Sequence, residues 1–444
     1  MTTYSLGAVS EPARSTSVFR TADVCVVGGG AAGVAAAISA ARTGAKVLLL
    51  EREGFLGGTL TSVSLGSICG LYAVTDTDVQ QIVGGFCNEV IDRLRSLDGL
   101  GEPTRWLETA SLPYDLFAMK VALDQLVQEA RVEVLFHAMV VGVAMKGREL
   151  DAVLIETKEG RLALRAKSFV DCSGDADLVN FAGAPCEISE GDLQFPTTMV
   201  RFGGVDTDSL ARLSRPALRE RLEQAVADGY ELPRTAGGVF AERPGLAHLN
   251  ITKVAVDGKS PNPFDLSVMS RAEIAGREQV CTYLKAFRKY VPGFESAFVM
   301  DTGAVIGIRE SRRTVGSYVL TDKDVLEGAR FYDAIACCAW PMEDHAAGRA
   351  TKWIWLPPGT YFQIPLRSLL LEGFDNLMVA GRCASATHGA QASIRVTAQC
   401  FAMGEAAGHT AATAVARDIS VHHVPASDIQ QVLENNGAFL GALQ

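Results

Sequence analysis

Several things are missing from this chain of 444 residues. No stretch reaches the roughly 18 uninterrupted apolar residues of a membrane-spanning helix, so no membrane partner is expected. The ten cysteines, at 25, 69, 87, 172, 186, 281, 337, 338, 383 and 400, form no CxxC pair and no set with zinc or iron–sulfur spacing. Neither a metal centre nor a secreted disulfide framework is expected, and only the adjacent Cys337 and Cys338 invite a strained disulfide. Cys25 and Cys172 lie inside apolar runs and read as small buried hydrophobes. A reducing compartment, by default the cytoplasm, follows. Positive charge is also in deficit: the formal net charge is −10, which argues against a nucleic-acid partner. Local arginines can still hold a small anionic substrate. Residues 1–20 have no apolar core segment and read as a flexible lead rather than a signal peptide.

What is present is an ordinary globular composition, 48% hydrophobic and 21% charged, over a length that exceeds one compact core. The most informative stretch is 24–51. An apolar strand, 24–27, runs into Gly28, Gly30 and Gly33. An Ala-rich helical run follows to Arg42, and 47–50 form a second strand ending at Glu51, 18 residues after Gly33. Each position has a mechanical reason. Gly28 permits the tight turn, Gly30 admits a pyrophosphate close to the backbone, and Gly33 lets helix pack on strand. The helix start, with Ala31 and Ala32, offers free N–H groups and a positive dipole end to phosphate. Glu51 suits a carboxylate accepting from a ribose hydroxyl. This stretch predicts a dinucleotide-binding βαβ unit.

Farther along, 52–61 is a Gly-rich loop in which Arg52, Gly57, Gly58 and Thr59 reach the pyrophosphate or the chain beyond it. Helical periodicity covers 79–97 and 115–130. Strands are expected at 132–136, at 140–145 beginning with the cofactor candidate Val140, and in a hairpin of 152–157 with 161–166 around Glu159-Gly160. The strand at 168–172 closes in a turn through Gly174 and Asp175. Residues 190–345 change character, with helical runs at 208–228 and 268–289 around a Pro- and Gly-rich stretch. From 361 the dinucleotide pattern resumes: a strand ends at Gly381-Arg382, and a long helix of small residues is expected over 393–416. The expected domains are a lead (1–20), a dinucleotide-binding domain in two parts (21–189 and 361–444) and an inserted substrate domain (190–360).

That second Gly-rich element decides between NAD and FAD. In a flavoprotein the first βαβ unit holds the ADP half, and a late strand, loop and helix bring a helix N-terminus to the flavin ring. Ala392, Ser393 and Ile394 are the residues expected at that helix start. The motifs Gly-Asp-Ala-Asp-Leu (174–178), Ile-Gly-Ile-Arg-Glu-Ser-Arg-Arg (306–313), Gln-Ile-Pro-Leu-Arg-Ser-Leu (363–369) and Val-Ala-Gly-Arg…Gly-Ala-Gln-Ala-Ser-Ile-Arg (379–395) carry a resemblance. The chain resembles the FAD-dependent oxidoreductases of glutathione-reductase-type fold, in the fumarate-reductase-like branch. The resemblance implies an α/β fold: a Rossmann-like FAD-binding domain with an inserted α+β substrate domain, and FAD extended across both ends of the chain. The paired histidines and arginine shuttle of fumarate reductases are not found, and the 52–61 loop lacks a histidine for covalent attachment. Non-covalent FAD is therefore expected, without fumarate chemistry.

The expected function is oxidation or dehydrogenation of a small organic substrate, with hydride passing to flavin N5 at the domain junction. Oxygen or a separate acceptor would reoxidise the flavin. His388, in the loop before the flavin-facing helix, is the candidate proton acceptor. Arg395, one turn into that helix and disfavoured there by the dipole, implies something anionic nearby. Arg309, Arg312 and Arg313 with Glu310 read as a carboxylate clamp or an interdomain salt-bridge network. Tyr361 and Arg367 should line the junction. Trp353-Ile-Trp355-Leu-Pro-Pro358 is similar to the Trp-x-Trp-x-Ile-Pro signature of flavin-dependent halogenases, with Pro357 in place of Ile and no equivalent of their lysine. A monooxygenase or halogenase is thus one alternative, and a non-catalytic or redox-partner flavoprotein another.

Overall fold

The computed structural model describes residues 9–345 and 351–441, except 76, 190 and 192. Its largest sheet has seven strands. Glu133–Leu135, Val47–Leu50, Val18–Val27 and Gly160–Asp171 lie side by side and parallel. The outer edge of Gly160–Asp171 is shared between two partners. Its first half pairs antiparallel with Glu149–Thr157, in the expected hairpin with Thr157 opposite Gly160, and its last residues pair in parallel with Leu377–Val379. The register sets Val27 beside both Leu50 and Asp171, and Asp171 beside Val379. The carboxyl ends of four strands therefore meet along one edge, the place where open α/β sheets bind ligands.

The helix Ala31–Arg42 covers this sheet, and Thr397–Arg417 packs on it through small residues. A Cβ at Gly404 would stand 2.1 Å from the Ala32 carbonyl, and one at Gly408 2.1 Å from that of Ala36. The two contacts advance together along both chains, so the helices are parallel. Ala32 is the second residue of its helix and Gly404 the eighth of its own. At 1.5 Å per residue, the N-terminus of the later helix overshoots that of the earlier by roughly 9 Å. Two positive helix ends thus face the same side, offset along one line.

A second core stands on a four-stranded antiparallel sheet, in the order Gly238–Arg243, Leu246–Asn250, Val200–Gly203, Phe298–Thr302. Phe202, Tyr283, Phe287 and Phe294 fill it beneath Leu266–Tyr290. The expected fold class, a Rossmann-like α/β domain with an α+β insertion, matches this architecture.

Local differences have identifiable causes. The 79–97 run is a strand, Val79–Gln81, then a helix only from Phe86, because Gly85 at φ +61° lies outside the helical region. The 208–228 run splits into Thr207–Arg212 and Arg215–Ala227, where Ser214 caps the second helix and Pro216 occupies its first turn. Of the expected flexible lead, residues 1–8 lie outside the described residues, while Val18–Arg20 belong to the central strand. The 190–360 segment is not one packing unit, since Cys337, Cys338 and Trp340 sit in the core of the large sheet's helices. Cys337 and Cys338 are free thiols on the strand Ala334–Cys338, where successive side chains point to opposite faces. Among the described residues, no helix is long and apolar enough to cross a membrane.

Candidate cofactor and substrate cleft

Three glycines turn the chain at the ends of adjacent strands: Gly28 (φ +96°), Gly174 (φ +77°) and Gly381 (φ +90°). Around them opens a cleft of about 1870 Å³, part of it open to solvent, which runs from the sheet edge to the inserted sheet. One end is lined by Gly28, Gly30, Ala31, Ala32, Glu51 and Arg52, together with Gly57, Gly58, Thr59 and Val140. Gly174, Asp175, Gly381 and Arg382 line its middle. At the far end stand Thr197, Met199 and Asn250 of the insertion, with Trp106, Trp340, Glu343 and Arg395.

The glycines of the first turn differ in what they meet. A Cβ at Gly28 would lie 2.4 Å from the Cys172 carbonyl, and one at Gly33 only 1.7 Å from the Gly28 carbonyl. Chain packing alone demands both. A Cβ at Gly30 would meet nothing nearer than the Gly58 Cα at 3.9 Å. The protein has room for a side chain there; a ligand lying against that backbone would not. Glu51, 6% exposed, is fixed by two amides: Gly29 N–H donates to Oε2 (2.7 Å) and Glu53 N–H to Oε1 (2.8 Å). Its remaining lone pairs are free for a hydroxyl.

The 173–177 turn is held from three sides. Ser311 Oγ donates to the Gly174 carbonyl (3.1 Å), Arg312 Nε to the Asp175 carbonyl (2.8 Å), and Arg382 Nη2 to Asp175 Oδ1 (2.9 Å). Arg312 also pairs with Asp177 (2.7 Å). Burial, aided by Asp175 and Asp171, still pushes Asp177 up to about 6. This explains why 174–178 and 306–313 are dense in charge: one motif clamps the other.

Residues 23–433 match the family model described as FAD dependent oxidoreductase. The chain belongs to the FAD-dependent oxidoreductase family. Solved structures with similarity include a geranylgeranyl bacteriochlorophyll reductase-like protein from Thermoplasma acidophilum (15% identity, 94% of this chain and 84% of that one, TM-score 0.48). Anhydrotetracycline hydroxylase OxyS from Streptomyces rimosus follows (11% identity, 94% and 65%, TM-score 0.46), as does flavin-dependent brominase Bmp2 (13% identity, 94% and 83%, TM-score 0.45). FAD is the cofactor of this oxidoreductase. The cleft fits it on the evidence of Gly30, whose bareness no neighbouring protein atom requires.

The expected flavin-facing helix is corrected. The 393–416 run is broken into His388–Ile394 and Thr397–Arg417. Asp322 already occupies the start of the first helix, taking hydrogen bonds from Ala390 N–H (3.0 Å) and Thr387 Oγ1 (2.5 Å). Ala392, Ser393 and Ile394 are buried in the protein rather than among the cleft-lining residues, and Ser393 Oγ donates to the Trp340 carbonyl (2.5 Å). Val396, Thr397 and Cys400 line the cleft instead. The adjacent β-branched pair Val396-Thr397 in an Ala-rich run was the available signal. Arg395 is the C-cap of the first helix and stands just before the N-cap of the second, rather than one turn into a single long helix.

His388 is likewise not among the residues lining the cleft. Its Nδ1 meets Glu310 Oε1 (3.0 Å), and its Nε2 lies 3.6 Å from Asp344. The Glu310 hydrogen bond raises it above its ordinary value despite partial burial. Glu310 also pairs with Arg313, so these three form a structural network. Arg367 pairs with Asp333 (2.9 Å), and Tyr361 stacks edge-on with Phe439; neither is among the cleft-lining residues. Among the described residues, no group of His, Cys, Asp and Glu is placed to hold a metal ion.

Proposed function

We propose that this oxidoreductase oxidises or dehydrogenates a small organic molecule at the junction between the large sheet and the inserted sheet. The observation that carries the reading is the pair of parallel helix N-termini, offset by roughly 9 Å along one cleft. The first, at Ala31 and Ala32, would take the pyrophosphate with Gly28 and Gly30, and Glu51 would take the ribose. Arg52, Gly57, Gly58, Thr59 and Val140 would flank the nucleotide, with Gly174, Asp175, Gly381 and Arg382 beside the turn. The second N-terminus, at Thr397, would face the electron-rich edge of the ring, and the cofactor would be held without a covalent bond. Bound FAD supplies the hydride acceptor at N5. The walls orient the substrate and exclude water: Met199, Leu60 and Val396 are apolar, while Thr197 and Asn250 offer hydrogen bonds. Oxygen or a separate acceptor would then take the electrons.

Anaerobic addition of substrate candidates to the FAD-loaded protein tests this. Bleaching of the flavin bands with recovery of a desaturated or oxidised product supports it. Incorporation of an oxygen atom from O2 into the product, with no anaerobic bleaching, overturns it in favour of a monooxygenase.

A further inference from the structure

The substrate end of the cleft has one cationic wall and one aromatic wall. Most arginines nearby are paired: Arg312 with Asp177, Arg313 with Glu310, Arg382 with Asp175. Arg309 and Arg395 are not. Arg309, 8% exposed, donates to the Phe195 carbonyl (2.5 Å) and to Asn250 Oδ1 (3.3 Å). Arg395 Nη2 donates to Gln194 Oε1 (3.1 Å), and its buried Nε has no partner. Neither guanidinium forms an ion pair with a carboxylate among the described residues, and both line the cleft. Burial, then Arg395 and Arg234, pushes Arg309 down to about 9. Burial would raise the Glu343 carboxyl, yet His345, Arg395 and Arg309 outweigh it and hold Glu343 at about 2. Two guanidinium groups with no ion-paired carboxylate thus line the cleft, and a charge held out of water without a counter-ion is costly. An anion in the cleft offsets that cost.

The other wall holds the chain's tryptophans. All four occur in one cluster. Trp106 meets Trp340 edge-on at 5.6 Å and Trp353 at 5.7 Å, and Trp353 stacks on Trp355 at 5.0 Å. Trp106 and Trp340 line the cleft. The two walls join at Glu343, whose Oε2 accepts from Trp340 Nε1 (3.3 Å) and whose carbonyl accepts from Arg395 Nη2 (3.5 Å).

We propose that the substrate is an aromatic carboxylate, its carboxylate held by the guanidinium groups of Arg309 and Arg395 and its ring against Trp340 and Trp106. The assignment rests on reading this end of the cleft as the substrate junction. Aromatic and cationic groups flanking one cavity select both halves of such a molecule.

Titration of the FAD-loaded protein with benzoate, benzamide and acetate, read by tryptophan emission and by the flavin bands, tests it. With every tryptophan in this cluster, emission carries no remote background. Benzoate is expected to bind saturably, and benzamide and acetate each about tenfold or more weaker, as the loss of one charged contact or of the ring requires. Arg309→Gln and Arg395→Gln should each weaken benzoate by about tenfold or more and leave benzamide unchanged. If Arg309→Gln does not retain FAD, Arg395→Gln and the charge-keeping Arg309→Lys carry the comparison. Equal affinity for benzoate and benzamide, no saturable benzoate binding, or full benzoate affinity in Arg395→Gln overturns the proposal. Benzoate binding without flavin reduction by any aromatic carboxylate would leave this site standing and sink the oxidase reading. Reduction by a neutral substrate with no benzoate binding does the reverse.

Discussion

Replacing Gly30 by alanine separates a glycine kept for the ligand from glycines kept for the fold. Gly30 caps its helix with extended backbone (φ −71°, ψ −173°), which alanine adopts without strain. The nearest atom to the new methyl group is 3.9 Å away. The apoprotein should therefore lose at most about 1 kcal/mol, the usual cost of a poorer N-cap. FAD binding should suffer far more. A methyl group lining the cleft holds the pyrophosphate off the backbone N–H groups, and one or two charge-assisted hydrogen bonds at about 1.5–3 kcal/mol each correspond to a tenfold or greater loss. Gly33→Ala reverses the pattern. Its Cβ would lie 1.7 Å from the Gly28 carbonyl, so the strand–helix contact must open at a cost of about 1–3 kcal/mol or more. Urea melts of the apoproteins and titration of each with FAD, followed by quenching of flavin fluorescence, give both numbers. Wild-type FAD affinity in Gly30→Ala would refute the assignment of the turn to the pyrophosphate. So would an apoprotein destabilised as much as Gly33→Ala.

Three further outcomes follow from the same structure. Gly408→Val places side-chain atoms within 2.1 Å of the Ala36 carbonyl, so it should lower apoprotein stability by about 1–3 kcal/mol and, by tilting the helix that begins at Thr397, weaken FAD binding as well; unchanged melting and binding would contradict the parallel helix contact. The Glu310 hydrogen bond raises His388 above its ordinary value, with Asp344 adding and Arg313 opposing. The stability this contributes is therefore full below the unfolded value near about pH 6.5 and lost as pH rises through the higher folded value. His388→Gln should depress the melting temperature near about pH 5.5 and converge on wild type in alkali, and a deficit that grows with pH would be inconsistent. Cys281 is the exposed thiol, and burial pushes others such as Cys25, Cys69 and Cys338 up to about 12. A thiol reagent should thus titrate one fast group in the native protein and all ten after denaturation without reductant; fewer than ten would reveal a disulfide.

The proposed nucleotide end was legible because the chemistry assigned to it is carried by backbone in one continuous stretch. Gly28, Gly30 and Gly33 each answer to a local steric need, and the register that joins Gly28 to Gly174 and Gly381 follows from three apolar strands that each end in a glycine turn. Even the helix packing left a trace, since Gly404 and Gly408 are spaced to face Ala32 and Ala36 one turn apart. His388 and Ala392–Ile394 misled because sequence neighbourhood says nothing of what already fills a helix end. Asp322, 66 residues before His388, closes that N-terminus, and only the pause at Arg395-Val396 frees the next one.

The proposed substrate end differs in kind. Its walls come from Trp106 on a hairpin, Thr197 and Asn250 on the inserted sheet, Arg309 in the clamp motif, and Trp340, Glu343 and Arg395 around the helix break. None of these lies near another in sequence except Trp340 and Glu343, so no spacing rule links them. Side chains rather than backbone would do the recognition there, and a side chain's direction depends on tertiary packing. The same contrast assigns the two ends different tolerances. Substitution of Gly28 or Gly33 should destabilise the fold and substitution of Gly30 should weaken FAD binding, whereas substitution of Trp106, Trp340, Arg309 or Arg395 should change which molecule is accepted while the FAD bands persist. The cofactor half is therefore constrained by geometry that only glycine satisfies, and the substrate half by charge and ring surface that several residues supply together.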